Sequence, residues 1–274
     1  MAFIPVTVLN DPALDLYARR TERELLRYNE PMPGLFVVES PVVIERAIDG
    51  GYEPVSLLVD ESKIEIAAVK IIEKCRNVPI YTAKTELLEN LTGFPLTRGA
   101  QGIFKRKEYP KISDVICGTR RVVILEDVEN PTNVGAIFRS AAALNVDAVL
   151  LTQGCADPLY RRAARVSMGT VFQIPWTYFG KNDLQWPAEA LEYLKNKDFI
   201  SVAMALEEDS VSVDDERLSG AKRLAILLGA EGTGLNAQTV TLCDMTVCIP
   251  MSHGVDSLNV SAAGAVAFWA MCRS

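Results

Sequence analysis

Three short stretches of this sequence gather polar side chains and glycines in patterns that could serve chemistry. They are LEDVENPTNVGAIFRSAAAL (125–144), LLGAEGTGL (227–235) and IPMSHGVDSLNVS (249–261). The first holds Asn133 and Arg139, an amide and a permanently charged guanidinium. The second holds Glu231 among Gly229, Gly232 and Gly234, and glycines let backbone approach a ligand closely or take positive φ. The third holds Ile249, Met251, Ser257, Leu258 and Asn259 just ahead of a nearly all-apolar run, Val260 to Cys272. Ser257 and Asn259 would be costly to bury there without partners.

Common nucleotide and hydrolase motifs do not account for these stretches. Gly229, Gly232 and Gly234 space as G-x-x-G-x-G after a late strand, whereas a dinucleotide fingerprint needs G-x-G-x-x-G after the first. No G-x-x-x-x-G-K-[ST] phosphate loop occurs, no G-x-S-x-G elbow occurs, and a single histidine, His253, leaves little for a hydrolase triad. Taken singly, each residue also has a plain structural reading. Asn133 could cap a helix, Arg139 could be a solvated helix residue, Glu231 could sit in the first turn of a helix, and Ser257 could cap the last helix. Their joint occurrence is what calls for a functional reading.

The elements that would carry them form an alternating series. Strands are expected at 121–126, 147–152, 171–175, 199–206, 223–229 and 246–251. Helices are expected at Val134–Leu144, Pro158–Gly169, Pro187–Lys195, Asn236–Asp244 and Ser257–Met271. Continuously apolar runs such as VVIL and AILL suit strands covered on both faces, and the alternation implies a parallel sheet flanked by helices. In such sheets ligands bind beyond the carboxyl ends of strands, where all three stretches lie. Upstream, Asp11-Pro12 reads as a cap and first residue of a helix through about Tyr28. LFVVES (35–40), SLLVD (56–60) and VPIYTA (78–83) follow as strands, with helices near Val42–Ile48 and Glu65–Cys75. The expected organisation is a smaller α/β domain over 1–110, a basic linker over 111–120, and a larger domain over 121–274.

With 49 % hydrophobic and 23 % charged residues, the 274-residue chain has material for two cores. The start lacks the basic-then-apolar pattern of a secretory leader, and the C-terminal apolar run falls short of the ~20 residues that cross a bilayer. Six cysteines without C-x-x-C spacing read as reduced thiols of a cytoplasmic protein. Cys243, Cys248 and His253 do not make a recognisable metal motif, so no metal is expected.

At these residues the chain resembles the SpoU/TrmH-like RNA ribose 2′-O-methyltransferases of the SPOUT class, over roughly 121–272. Asn133 and Arg139 match the first motif of that family, Gly229, Glu231, Gly234 and Leu235 the second, and Ile249-Pro250-Met251 with Ser257 to Ser261 the third. The resemblance implies a C-terminal deep trefoil knot and S-adenosylmethionine bound by Gly229, Ile249, Leu258, Met251 and Gly234. It implies Arg139, Asn133, Glu231, Ser257 and Asn259 as catalytic residues; within that site Glu231 is expected to orient Arg139 and Asn133 to fix the loop. It also implies a homodimer through the C-terminal domain and, in the first domain, a ribosomal-protein-like RNA-binding module, although Ser40 stands where a glycine is common after Glu39. Ribosomal RNA is the expected substrate. A tRNA 2′-O-methyltransferase and a non-catalytic RNA- or ribosome-binding protein on the same fold are the alternatives.

The net charge of −7 runs against RNA binding, but net charge does not describe distribution. Arg161, Arg162 and Arg165 fall close together in PLYRRAARVSMG, and Lys105, Arg106, Lys107 and Lys111 cluster near the linker. These are the expected phosphate contacts.

Overall fold

The computed structural model describes residues 3–92, 99–180 and 184–272; the outermost ends of the two expected domains, 1–2 and 273–274, lie outside them. The chain divides into two compact units, one of residues 1–108 with 159–173 and one of 109–158 with 174–274.

In the first unit the elements run β1 (Phe3–Pro5), α1 (Glu22–Leu26), β2 (Leu35–Glu39), α2 (Pro41–Asp49), β3 (Pro54–Asp60), α3 (Val69–Lys74), β4 (Ile80–Ala83), α4 (Thr85–Thr92) and β5 (Ala100–Lys105). The strands make a mixed sheet in the order β1-β4-β3-β5-β2, with β5 antiparallel to both its neighbours. Tyr17, Leu25, Val37, Leu58 and Ile103 centre one core cluster. The single helix expected over 11–28 is broken. Asp11 does cap a turn, accepting from Ala13 N at 2.9 Å, but Arg20 is extended (φ −103°, ψ 134°) and a new helix starts at Thr21. Thr21 and Glu24 form a reciprocal capping box, the Thr21 hydroxyl accepting from Glu24 N and the Glu24 carboxylate from Thr21 N. That pattern stops one helix and begins another.

β5 is a strand beyond those expected, and it runs through Gly102. Gly102 has a packing reason: a Cβ there would lie 2.7 Å from the Phe104 ring.

The second unit runs α5 (Ile112–Val115), β6 (Arg121–Leu125), α6 (Pro131–Ala143), β7 (Ala148–Leu151), then, after the excursion to the first unit, β8 (Trp176–Tyr178), α8 (Ala188–Lys195), β9 (Ile200–Met204), β10 (Val211–Ser212), α9 (Glu216–Ser219), β11 (Leu224–Leu228), α10 (Ala237–Leu242), β12 (Met245–Cys248) and α11 (Val260–Met271). Its seven strands pair in parallel throughout, in the order β10-β12-β9-β11-β6-β7-β8. β6, β7 and β11 are buried along their whole length, as a sheet covered on both faces requires. The expected strand at 171–175 is instead a 3-10 turn (Thr170–Phe172), with the strand beginning after Pro175. Proline has no N–H for the ladder and so sits at a strand's start rather than inside it.

The segment 159–173, expected within the larger domain, packs with the first unit. It contains a short helix, α7 (Arg161–Val166). The Phe172 ring lies 5.9 Å from that of Phe36 and 5.2 Å from that of Tyr52, and Arg46 Nη1 donates to Met168 O at 2.8 Å. Within the expected linker, Ile112–Val115 is helical and belongs to the second unit. Among the described residues no helix is long and apolar enough to cross a membrane.

Candidate functional site

In the sheet order of the second unit, β12, β9, β11 and β6 are consecutive. The three polar stretches follow β6, β11 and β12, so they emerge from one stretch of sheet edge. Beyond β9, β11 and β12 opens a cavity of about 520 Å³, within the range of small-molecule sites. Its walls include Gly229 to Gly234, Ile249, Met251 and Asp256 to Val260. All five residues expected to bind a cofactor line it, as do Glu231, Ser257 and Asn259.

The wall after β11 is main chain brought close to itself. Ala230 and Gly234 exchange backbone hydrogen bonds at 3.1 and 3.0 Å. A Cβ on Gly229 would meet Gly234 C at 2.2 Å and Leu235 N at 2.3 Å, so only glycine allows this hairpin to close. Gly232 and Gly234 take φ of +88° and +70°, which glycine adopts without strain. Glu231 therefore sits in a tight loop and not in the first turn of a helix.

Asn259 joins the three stretches. Its side-chain Nδ2 donates to Glu231 Oε1 at 2.5 Å and to Asn133 Oδ1 at 3.2 Å. Its Oδ1 meanwhile accepts from Ser261 N and from the Ser261 hydroxyl at 3.0 and 2.6 Å. Asn259 is thus the N-cap of α11, the role read for Ser257. Ser257 lies outside the helix, with its hydroxyl donating to Asp256 Oδ1 at 3.3 Å. Likewise Asn130, not Asn133, caps α6, accepting from Thr132 N at 2.9 Å. Asn133 is buried one turn further in, and its Nδ2 has no partner among the described residues. A buried unpaired donor is costly, which marks this junction as polar by need rather than for packing.

Arg139 lies six residues beyond Asn133, well round the helix from it. It is exposed and has no side-chain partner among the described residues. The expected Glu231–Arg139 pair is therefore absent: the Glu231 carboxylate is taken by Asn259. Helices α6 and α11 pack on each other. Gly264 admits α11 to the sheet, since a Cβ there would lie 3.0 Å from Leu228 Cδ1. Three thiols of this unit are inert: burial pushes Cys155 up to about 11 and Cys243 and Cys272 up to about 12.

Sequence reasoning passed over the end of β9. Met204, Ala205 and Leu206 line the cavity but carry no glycine or polar signature; only adjacency of β9 to β11 and β12 would have found them. Asp256, a polar residue ahead of the apolar run, also lines the cavity.

Of the expected phosphate contacts all but Lys111 belong to the first unit, and several are engaged there. Arg161 Nη2 donates to Tyr17 O at 2.9 Å, and its Nη1 lies 3.6 Å from Glu39 Oε1. Arg165 Nη1 is 3.3 Å from Glu39 Oε2, and the Glu39 carboxylate is buried. Arg106 is buried, its Nε donating to Leu35 O at 3.1 Å and its guanidinium 5.9 Å from the Phe36 ring centre. Lys105 is exposed and paired with Glu53 at 2.7 Å. Arg162 is exposed.

The SpoU rRNA Methylase family model matches residues 120–269. An uncharacterized tRNA/rRNA methyltransferase of Mycobacterium bovis is 37 % identical over 246 residues, covering 88 % of this chain and 81 % of that protein. A 23S rRNA (guanosine-2′-O-)-methyltransferase of Acinetobacter baylyi is 29 % identical over 214 residues, covering 74 % and 83 %. Among solved structures, an AdoMet-bound rRNA methyltransferase from Sinorhizobium meliloti superposes with a TM-score of 0.78 at 23 % identity, over 98 % of this chain and 97 % of that one.

Proposed function

The chain belongs to the SpoU rRNA Methylase family, and from that premise we propose that it transfers a methyl group from S-adenosylmethionine to a ribose 2′-hydroxyl, in ribosomal RNA. The observation that carries the reading is the junction at Asn259, where one side chain ties the first turn of α6 and the loop after β11 to the head of α11 at the cavity wall. The Acinetobacter relative, named for 2′-O-methylation of 23S rRNA, supports both the atom and the RNA. A tRNA substrate is the second reading, favoured by the joint tRNA/rRNA description of the mycobacterial relative.

The cavity fits the proposed cofactor. Its hairpin presents bare main chain at Gly229, Gly232 and Gly234, suited to the polar edge of a purine. Met204, Leu206, Ile249 and Leu258 supply apolar walls for the ring faces and the aliphatic chain. Main chain around Gly229, Ile249 and Leu258 would hold it, with Met251 and Gly234 alongside. When bound, the cofactor supplies a methyl group already made electrophilic by a sulfonium.

What remains for the protein is alignment and charge. Holding a nucleophile in line can supply effective molarities of roughly 10⁵–10⁸ M, against roughly 10²–10⁴-fold for general-base help. Alignment is the larger effect, so a site without histidine is adequate. Asn259, held by two anchors and its helix, and Ser257 beside it are placed to orient the ribose. Arg139, exposed and uncommitted, is available to the substrate's phosphate and to negative charge developing on the attacking oxygen. Being permanently charged, it acts as a cation and not as the proton acceptor.

The same reading includes a trefoil knot with α11 closing it. It includes a homodimer through the second unit, supported by the exposed apolar residues Leu258, Val266 and Trp269 on and before α11. It also makes the first unit an RNA-recognition module and the protein cytoplasmic. Mapping 2′-O-methyl positions in RNA from cells with and without the gene tests the proposal. One ribosomal position should lose its methyl group; a complete, unchanged map would refute it.

A further inference from the structure

A buried carboxylate outside the three motifs controls the hairpin that walls the cavity. Glu126 directly follows β6 and is 4 % exposed. Its main-chain N–H donates to Leu228 O at 2.9 Å, the residue before Gly229. Its Oε2 accepts from Asn236 N at 2.9 Å, the residue after Leu235. One residue thus holds both ends of the 229–235 loop. Its Oε1 accepts from Thr239 Oγ1 at 2.6 Å and from Trp186 Nε1 at 2.5 Å. Trp186 is itself fixed against the Phe179 ring at 5.0 Å between centres.

No arginine or lysine pairs with this carboxylate among the described residues; three neutral donors satisfy it. A buried charge is tolerated only when such bonds are made. Bonds to a charged acceptor are also stronger than neutral ones. For the mere stability of α10, a neutral cap would serve at less desolvation cost. What the charge adds is a stiff anchor at the point where the loop returns to the sheet. With Leu228 and Asn236 both tied to Glu126, the loop's span is set, and with it the positions of the Gly229–Gly234 wall and of Glu231.

We propose that Glu126 is a positioning residue for the methyl-donor pocket, clamping both ends of the 229–235 loop so that its main chain and Glu231 are preset for the donor. This rests on the reading of the cavity as a site for S-adenosylmethionine.

Glu126→Gln tests it. The amide keeps size but offers a single acceptor oxygen, so its NH₂ faces either Asn236 N–H or the Thr239–Trp186 pair. Titration of the full-length protein with S-adenosylmethionine, well below the melting temperature of either form, should show the donor Kd raised roughly tenfold or more, as for loss of one bond to a charged group. At saturating donor, kcat on RNA should stay within about threefold of the parent, since the clamp acts on binding geometry and not on the reacting atoms. A purely structural role would lower the melting temperature and leave Kd untouched, and that result would overturn the proposal. Should Glu126→Gln fail to fold, Thr239→Val and Trp186→Phe each delete one donor to Oε1. Raised Kd in both supports the clamp, and parental Kd in both overturns it. If the parent protein itself binds no S-adenosylmethionine, the cofactor reading falls and takes the clamp with it; tight parental binding with an unaffected Glu126→Gln removes the clamp alone.

Discussion

Two polar clusters in this molecule look alike in composition and differ in purpose. In the second unit, Asn133, Glu231 and Asn259 come from three distant stretches and meet through one amide beside a cavity. In the first unit, Arg161 and Arg165 come from one turn of helix and close on the buried Glu39. Among the described residues the first cluster leaves groups over: an unpaired Asn133 donor, an exposed Arg139, a Ser257 hydroxyl tied only to its neighbour. The second sets two guanidinium groups on one carboxylate, with Arg161 Nε buried and without a partner among the described residues, and none of its three residues lines that cavity. Residues scattered in sequence that converge on open space point to a ligand, while a run of arginines can be spent on the fold.

The sharpest way to break this contrast is at Arg139. Arg139→Ala should cut methyl transfer by roughly 10²–10³-fold, the cost of removing one preorganised stabiliser of developing charge, and leave S-adenosylmethionine binding intact by calorimetry. Near-parental turnover would remove Arg139 from the site. Arg139→Lys keeps charge without the planar fork and should fall between the two.

Asn259→Asp separates site from scaffold. The carboxylate still caps α11 through Ser261 N but can no longer donate to Glu231 or Asn133. Methyl transfer should drop roughly tenfold to hundredfold, as for loss of a bond to a charged partner. The melting temperature should move little. Glu39→Gln is the mirror test: it should cost about 1–3 kcal/mol of stability, because Arg161 loses its buried counter-charge while solvent screens part of the loss. Donor affinity should not change. A Glu39 variant that loses donor binding at full stability would dissolve the distinction between the clusters.

Among the arginines, Arg162→Glu should weaken RNA binding in gel-shift titrations more than it lowers stability, and Arg161→Glu should do the reverse. Affinity for RNA should fall steeply with salt if phosphates are contacted. The smallest expected effect is at Ser40, which holds φ +87° and ψ 135°, a region that suits glycine, with its hydroxyl buried and without a partner among the described residues. Ser40→Gly should raise stability by about 1–2 kcal/mol, read as a higher denaturant midpoint.

How much of this could be read from the sequence depends on the range of the signal. The parallel sheet was legible because VVIL, AVLL and LAILL are apolar throughout. The three loops were legible because glycine and polar residues punctuate those strand ends. The five residues expected to bind a cofactor line one cavity because they lie in those loops. What was missed depended on neighbours far along the chain. The Glu231–Asn259 bond displaced the expected Glu231–Arg139 pair, since sequence cannot say which of two partners a carboxylate will meet. Arg161 and Arg106 read as surface charges because Glu39 and Phe36, which hold them, lie more than a hundred residues before Arg161 and seventy before Arg106. The end of β9 carries no unusual residue at all. The helix break at Thr21 is different: TERE is a local capping signature, and the pattern was available.

The most direct test is the chemical position of the transferred methyl group. Purified protein would be incubated with ribosomal RNA and S-adenosylmethionine labelled in its methyl group, and the RNA then hydrolysed in alkali. Alkaline cleavage needs a free 2′-hydroxyl, so the account predicts label in an alkali-resistant dinucleotide. Label recovered in single nucleotides would place the methyl group on a base and contradict it.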